Sequence, residues 1–284
     1  MPSEASDLRA RTFLVTGANT GIGRVTAETL ARRGGKVFLA CRSAEKAQPV
    51  LDGIRKAGGA AEFLALDLGS LASVRAAAAA FLARDEPLHV LVNNAGVAGS
   101  RGITTDGFEL LFGTNHLGPF LLTNLLLPRL RESASPGGAR IVNVSSKAHY
   151  QAESIDWEAV RKPTRTLTAL DEYAVSKLCN VLFTRELSRG KAGAGVHSYA
   201  LHPGVIASDI WRKVPWPIRP IMLSRMKTVV EGAQTSLYCA TSPAVASQDG
   251  RYYDESQEKK PSRLAEDVAL AKTLWEKSEA WTAA

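Results

Sequence analysis

Tyr173 and Lys177 stand at i and i+4, so on a helix a phenol and an ammonium project from one face about one turn apart. A phenol ordinarily titrates near ~10 and a neighbouring cation favours the phenolate, so Tyr173 can exchange a proton with a substrate oxygen near neutral pH. The same spacing arises on any solvated helix surface, and the pair gains meaning only from its surroundings. One neighbour in kind is the Ser145-Ser146 pair, which closes an apolar run at 140–144 and can offer a hydroxyl to the same substrate oxygen. Neither serine lies in G-x-S-x-G, and nothing in the sequence sets His149 at a base position, so a serine-nucleophile reading fails. Asn115 interrupts a stretch rich in Leu and Phe, where a buried amide requires a partner. His116 beside it has no second ligand at helical spacing and reads as a packed or exposed histidine; no metal site is expected.

The elements that must carry these groups alternate regularly. A β-rich run at 12–16 leads into Gly17-Ala18-Asn19-Thr20-Gly21-Ile22-Gly23 and an amphipathic stretch at 24–33. Strand, glycine turn and helix in that order present backbone N–H groups to a pyrophosphate: Gly17 for the turn, Gly21 for close approach, Gly23 for helix-to-strand contact. The spacing is G-x-x-x-G-x-G, and a plain connection is the alternative. A second strand at 36–40 ends in Cys41-Arg42, where dinucleotide sites place an acid for the ribose 2′-OH. The acid is missing, and the Arg42 fork suits the 2′-phosphate of NADP unless Arg42 is merely a solvated strand end.

Helix 44–56, strand 61–66, helix 70–84 and strand 89–92 continue the alternation, which predicts a parallel sheet covered on both faces with right-handed crossovers. Asp67 ends a strand, where it either accepts from an adenine amine or caps the next helix. Asn93-Asn94-Ala95-Gly96 ends the fourth strand at the ligand side of such a sheet, though a turn is the plainer role. A helix is expected over 107–131, and strand 140–144 is followed by a polar segment and the helix of Tyr173. Then come strand 196–201, His202-Pro203-Gly204-Val205-Ile206, an irregular stretch at 207–227 with Trp211 and Trp216, helix 229–240, strand 250–253 and helix 261–277. The 207–227 stretch reads as a substrate lid, a dimer contact or plain packing.

The chain has 284 residues, 45% of them hydrophobic, enough for one α/β domain. Its net charge of +7 comes from basic residues spread along the chain, which suits a small anionic ligand and not nucleic acid. Residues 1–11 are polar, and the longest apolar run, 120–127, is broken by Thr123 and Asn124, so no signal peptide or integral membrane segment is expected. Cys41, Cys179 and Cys239 form no C-x-x-C pair and read as reduced thiols; a cytoplasmic location follows.

Thr16-Gly17-x3-Gly21-Ile22-Gly23, Asn93-Asn94-Ala95-Gly96, Asn115, Ser146, Tyr173-x3-Lys177 and Pro203-Gly204, in that order, resemble the short-chain dehydrogenase/reductase family over about 11–253. Val15 to Gly23, Leu39-Ala40-Cys41-Arg42 and Ile141 to Ser146 are most similar to its retinol dehydrogenase and WW-domain oxidoreductase branch. The resemblance implies a single-domain, doubly wound Rossmann sheet of about seven parallel strands binding NADP(H). It implies Tyr173 as acid/base, Ser146 holding the substrate carbonyl, and Lys177 bonding the nicotinamide ribose and lowering the tyrosine pKa. Asn115 would hold a relay water. Cofactor contacts would come from Gly17, Asn19, Thr20, Gly21, Ile22, Gly23, Arg42, Asp67, Leu68, Asn94, Ala95, Gly96, Tyr173, Lys177, Pro203, Gly204, Val205, Ile206 and Ser208. The implied substrate is a carbonyl or alcohol of a fairly apolar small molecule, with a catalytically silent NADP(H)-binding regulator as the alternative. Pairing of two copies through 107–131 and 170–190 is the implied route to a homodimer.

Two departures stand out. Ser146 and Tyr173 are 27 positions apart, longer than the family's usual spacing, and this insert is expected to shape the substrate pocket. Ser208 replaces the Thr that usually follows the Pro-Gly motif and keeps only its hydroxyl.

Overall fold

Strands that are apolar on both faces must be covered on both, and the connections here are long enough to supply a helix each time. The computed structural model describes residues 7–134, 138–191, 193, 195–204 and 228–283. Its sheet consists of β1 (Thr12–Thr16), β2 (Lys36–Cys41), β3 (Ala60–Ala65), β4 (Val90–Asn93), β5 (Ala139–Val144), β6 (Val196–His202), β7 (Arg251–Asp254) and β8 (Gln257–Glu258). The order is β3-β2-β1-β4-β5-β6-β7-β8. The strands up to β7 are parallel, and the two-residue β8 pairs antiparallel with β7, an eighth strand too short to be legible as a periodic run. The order reverses between β1 and β4, which pair in register from Phe13↔Val90 to Val15↔Val92 and so bring their carboxyl ends side by side.

Among the described residues seven helices flank the sheet: α1 (Gly21–Arg32), α2 (Ala44–Lys56), α3 (Leu71–Leu82), α4 (Leu110–Glu132), α5 (Leu170–Glu186), α6 (Val229–Thr241) and α7 (Val268–Thr282). One core joins α1, α2 and α6 to one face of the sheet around Phe13, Val37 and Tyr199. The opposite face packs under α3, α4 and α5. Helix α4 is the described helix long and apolar enough to cross a membrane, but 78% of that window is buried inside the fold, so its apolarity serves the core.

Helix α4 starts later than expected, at Leu110, because Glu109 caps it by accepting from the N–H groups of Leu111 and Phe112, both at 2.8 Å. It is also irregular. Residues Gly113–Leu117 form a π turn, and Gly118 beyond it lies where an added Cβ would sit 2.4 Å from the Leu68 carbonyl oxygen. Apolar periodicity does not reveal such an inserted residue.

The closing helix is shifted too, to Val268–Thr282, after a 3-10 turn at Leu264–Glu266. It lies on α4 and α5: Trp275 packs 4.9 Å from Phe120 and 5.8 Å from Phe183 between ring centroids, and Trp281 packs 5.8 Å from Phe112. The apolar faces offered for pairing two copies are therefore covered, in this region, by the chain's own last helix. Trp275 is 4% exposed, so Trp275→Ala is expected to cost about 3–5 kcal/mol, read as a lowered midpoint in urea with unchanged slope.

His116, in the π turn, is buried among Phe112, Phe120 and Phe183, and its Nε2 lies 3.0 Å from the Ser278 hydroxyl of α7. Among the described residues no group of three or more His, Cys, Asp or Glu side chains is placed to hold a metal. Burial pulls the pKa of His116 down to about 3. Between that value and the ordinary ~6.5 the unfolded chain takes up a proton that the fold refuses, so stability falls as pH drops through this window, by at most ~1.4 kcal/mol per unit. Melting between pH 7 and 4 should show His116→Phe with a shallower acid decline than the parent.

Candidate active site

The anion end of the site is built from backbone. Thr20 leads into α1 without capping it through its side chain, and the first turn carries no acid, so the helix N–H groups there remain available to an anion. Gly21 has φ +56°, and an added Cβ would meet nothing within 4 Å, as expected where a ligand approaches. Gly23 is a glycine for a different reason: an added Cβ would lie 2.4 Å from both the Gly17 carbonyl oxygen and the Asn94 side chain. Its close contact is thus with the loop itself and not with the strand.

Thr16 organises the other side of this loop. Its hydroxyl accepts from the N–H groups of Asn94 at 3.0 Å and Ala95 at 2.9 Å, while the Asn94 amide donates to the Thr16 carbonyl at 2.8 Å. Asn94 therefore ties the β1 and β4 ends together, and its side chain is committed to that bond. Thr16 was legible only as part of a motif; a small hydroxyl ending a buried strand beside a glycine turn is the signal that marks it.

Cys41 is buried with its thiol toward the amides of Ala18 and Asn19, and burial pushes the thiol pKa up. Arg42, the next residue, is exposed at the end of β2. Asp67 does not cap α3, which Ser70 does; its Oδ1 accepts from Gly69 N–H at 2.9 Å. Leu68 is 5% exposed and belongs to the core, so it can meet a ligand only through backbone.

The proton-handling end lies at the carboxyl ends of β4 and β5. Burial pushes the Tyr173 phenol above its ordinary value, with a hydrogen bond to the Ser146 side chain acting the other way. The expected lowering by Lys177 is not what the geometry gives. The ammonium sits over the tyrosine ring, 5.6 Å from its centroid, and donates to the Val144 carbonyl at 3.0 Å. Lys177 is itself 4% exposed, and burial pulls it down to about 8. Ser145, the other serine of the pair, points away and donates to the Lys177 carbonyl at 2.7 Å, which separates its role from that of Ser146.

The π turn swings Asn115 into this group. Its Oδ1 accepts from Val97 N–H at 2.7 Å and its amide donates to the Val97 carbonyl at 2.9 Å and the Ser176 hydroxyl at 3.0 Å. A Cβ on Gly96 would lie 3.1 Å from Asn115 Oδ1 and 3.4 Å from Lys177 Nζ, so Asn115, Gly96 and Lys177 meet at one point. The buried partners that Asn115 required are thus Val97 and Ser176. Pro203 and Gly204 follow β6, with Gly204 at φ +96°. Val205, Ile206, Ser208 and the 207–227 stretch with Trp211 and Trp216 lie outside the described residues.

The insert between Ser146 and Tyr173 walls a cavity of about 650 Å³ together with Asp171, Glu172 and Val175 of α5. Ser146, Tyr173, Lys177 and Asn115 do not line it, so this cavity is separate from the proton-handling group.

Residues 11–216 match the family model for short chain dehydrogenases. The chain is 45% identical to dehydrogenase/reductase SDR family member 13 of Bos taurus, over 96% of this chain and 73% of that one. It is 43% identical to human retinol dehydrogenase 13, over 98% and 86%. Among solved structures, an uncharacterised protein from Mycobacterium paratuberculosis superposes with a TM-score of 0.77 at 36% identity, covering 98% of this chain and 97% of that one. A candidate NAD(P)-dependent gluconate 5-dehydrogenase from Beutenbergia cavernae, with NADP bound at low occupancy, superposes with a TM-score of 0.69 at 25% identity, covering 88% and 96%.

Proposed function

Because the chain belongs to the short-chain dehydrogenase family and is an oxidoreductase of its retinol dehydrogenase branch, we propose that it interconverts a carbonyl and an alcohol on a fairly apolar small molecule, using NADP(H). The observation that carries the reading is the meeting of Ser146, Tyr173, Lys177 and Asn115 beside the carboxyl ends of β4 and β5. The residues present fit a dinucleotide: an uncapped helix N-terminus, an open side at Gly21, and a loop that a Cβ at Gly23 would fill. When bound, the nicotinamide supplies or takes up the hydride. The chain's own groups handle the proton. Tyr173, kept protonated at neutral pH by burial, donates to the carbonyl oxygen as charge develops there, and Ser146 holds that oxygen. Lys177 and Asn115 stand behind the pair, where Lys177 can reach a ribose and Asn115 can order a relay water.

The NADP preference is supported by exposed Arg42 in place of an acid at the end of β2. An apolar substrate is supported by exposed Leu170, one turn before Tyr173 on the same helix face, and by the retinol dehydrogenase relatives. A cytoplasmic location is proposed on the three free, buried cysteines. The test is NADPH oxidation followed by absorbance against retinal, steroid, quinone and short aliphatic carbonyls, with NADH in parallel. Turnover that prefers NADPH and an apolar carbonyl is expected. Tight NADPH binding with no turnover on any of them would replace the enzyme by a silent cofactor-binding regulator.

A further inference from the structure

His149 is buried, 0% exposed, three residues beyond Ser146 in a 3-10 turn over Lys147–Gln151, and the chemistry above makes no use of it. Its surroundings fix its tautomer. The backbone N–H of Ser262 points at Nε2 from 3.1 Å, and an N–H can only donate, so Nε2 must carry the lone pair. The single proton of the neutral ring is then on Nδ1, where it faces the Ser146 carbonyl oxygen at 2.7 Å. Burial, which lowers the pKa of this histidine, keeps the ring neutral. Tyr150 and Tyr252 flank it at 4.0 and 4.8 Å between centroids, so the ring has little room to turn. The Ser146 carbonyl also accepts from His149 N–H at 3.1 Å, and the Ser146 hydroxyl accepts from Ala148 N–H at 3.2 Å. With one of its two lone pairs engaged there, the serine hydroxyl keeps its proton to give on the Tyr173 side.

We propose that His149 is a positioning residue for the reaction: through Nδ1–H it anchors the backbone of Ser146 to the chain segment at Ser262, and so sets where the Ser146 hydroxyl points. The role rests on the oxidoreductase reading given above. It makes the approach to the closing helix, far along the sequence, part of the support of the reactive serine.

Two substitutions separate this role from simple filling of the core. In His149→Asn the side-chain amide can reach the Nδ1 place and still donate to Ser146, losing Ser262. In His149→Gln the side-chain oxygen can reach the Nε2 place and still accept from Ser262, losing Ser146. The expected order is a kcat for His149→Asn within about threefold of the parent and for His149→Gln about ten- to a hundredfold lower, with NADPH binding and melting temperature alike in the two. In a Ser146→Ala background His149→Gln should change kcat by less than about twofold, because the group it positions is gone. The reverse order of the two variants, or a full additional loss on top of Ser146→Ala, would overturn the proposal. Crystal structures of the parent and His149→Gln give a readout that needs no substrate: a displaced Ser146 is expected, and an unmoved one overturns the positioning role. A parent without turnover on any carbonyl would instead fail the oxidoreductase reading, leaving the crystallographic comparison to decide on His149.

Discussion

Tyr173→Phe is expected to lower turnover by about a thousandfold or more while NADPH binds as before. The substitution removes one oxygen from a ring that is half-buried beside Ser146 and leaves the packing of α5 in place. Without the phenol, two nearby donors are not aimed at the oxygen that gains charge: Lys177 donates to the Val144 carbonyl at 3.0 Å, and Ser145 to the Lys177 carbonyl. Fluorescence titration with NADPH beside steady-state rates separates the two effects. Loss of both would mean that the ring supports the cofactor; loss of neither would remove Tyr173 from the acid role.

Arg42→Asp is expected to weaken NADPH by about a hundredfold, on the order of 2–3 kcal/mol, and to leave NADH unchanged or tighter. An exposed guanidinium just past the end of β2 can fork onto a phosphate dianion, whereas a carboxylate there repels the phosphate and accepts from a ribose 2′-OH instead. Cys41 cannot take over either role, since its thiol is turned inward to Ala18 and Asn19. Dissociation constants for both cofactors read the swap directly, and equal losses for both would show that Arg42 does not face the phosphate.

What was legible in the sequence follows from what is locally encoded. Buried parallel strands write continuous apolar runs, and so β1, β2 and α2 are found at the residues their patterns mark. Glycines write backbone demands, and Gly17, Gly21 and Gly23 announce the loop without ambiguity about its place. What stayed illegible depends on contacts distant in sequence. The π turn that carries Asn115 sits against Leu68 at Gly118, and helical periodicity cannot record an extra residue set by that contact. The tyrosine pKa moves up because burial outweighs the hydrogen bond to the Ser146 side chain, a balance that an i, i+4 spacing cannot weigh. Nothing in the sequence marks the place of His149, whose tie to Ser262 spans 113 positions and is visible only in the fold. The pairing of α4 and α5 with α7 hides in the same way, since an amphipathic face does not say whether its own chain or a second copy will cover it.

The central claim is that this chain moves a hydride between a nicotinamide and a carbonyl carbon, with Tyr173 supplying the proton. The most direct measurement uses NADPH carrying deuterium at nicotinamide C4, an accepted carbonyl substrate, and mass spectrometry of the alcohol with its position of labelling. Deuterium bound to the carbinol carbon, transferred from one face of the nicotinamide and reduced in rate by Tyr173→Phe, is the predicted result. An alcohol labelled only from solvent, or formed as fast with Tyr173→Phe as with the parent, would contradict it.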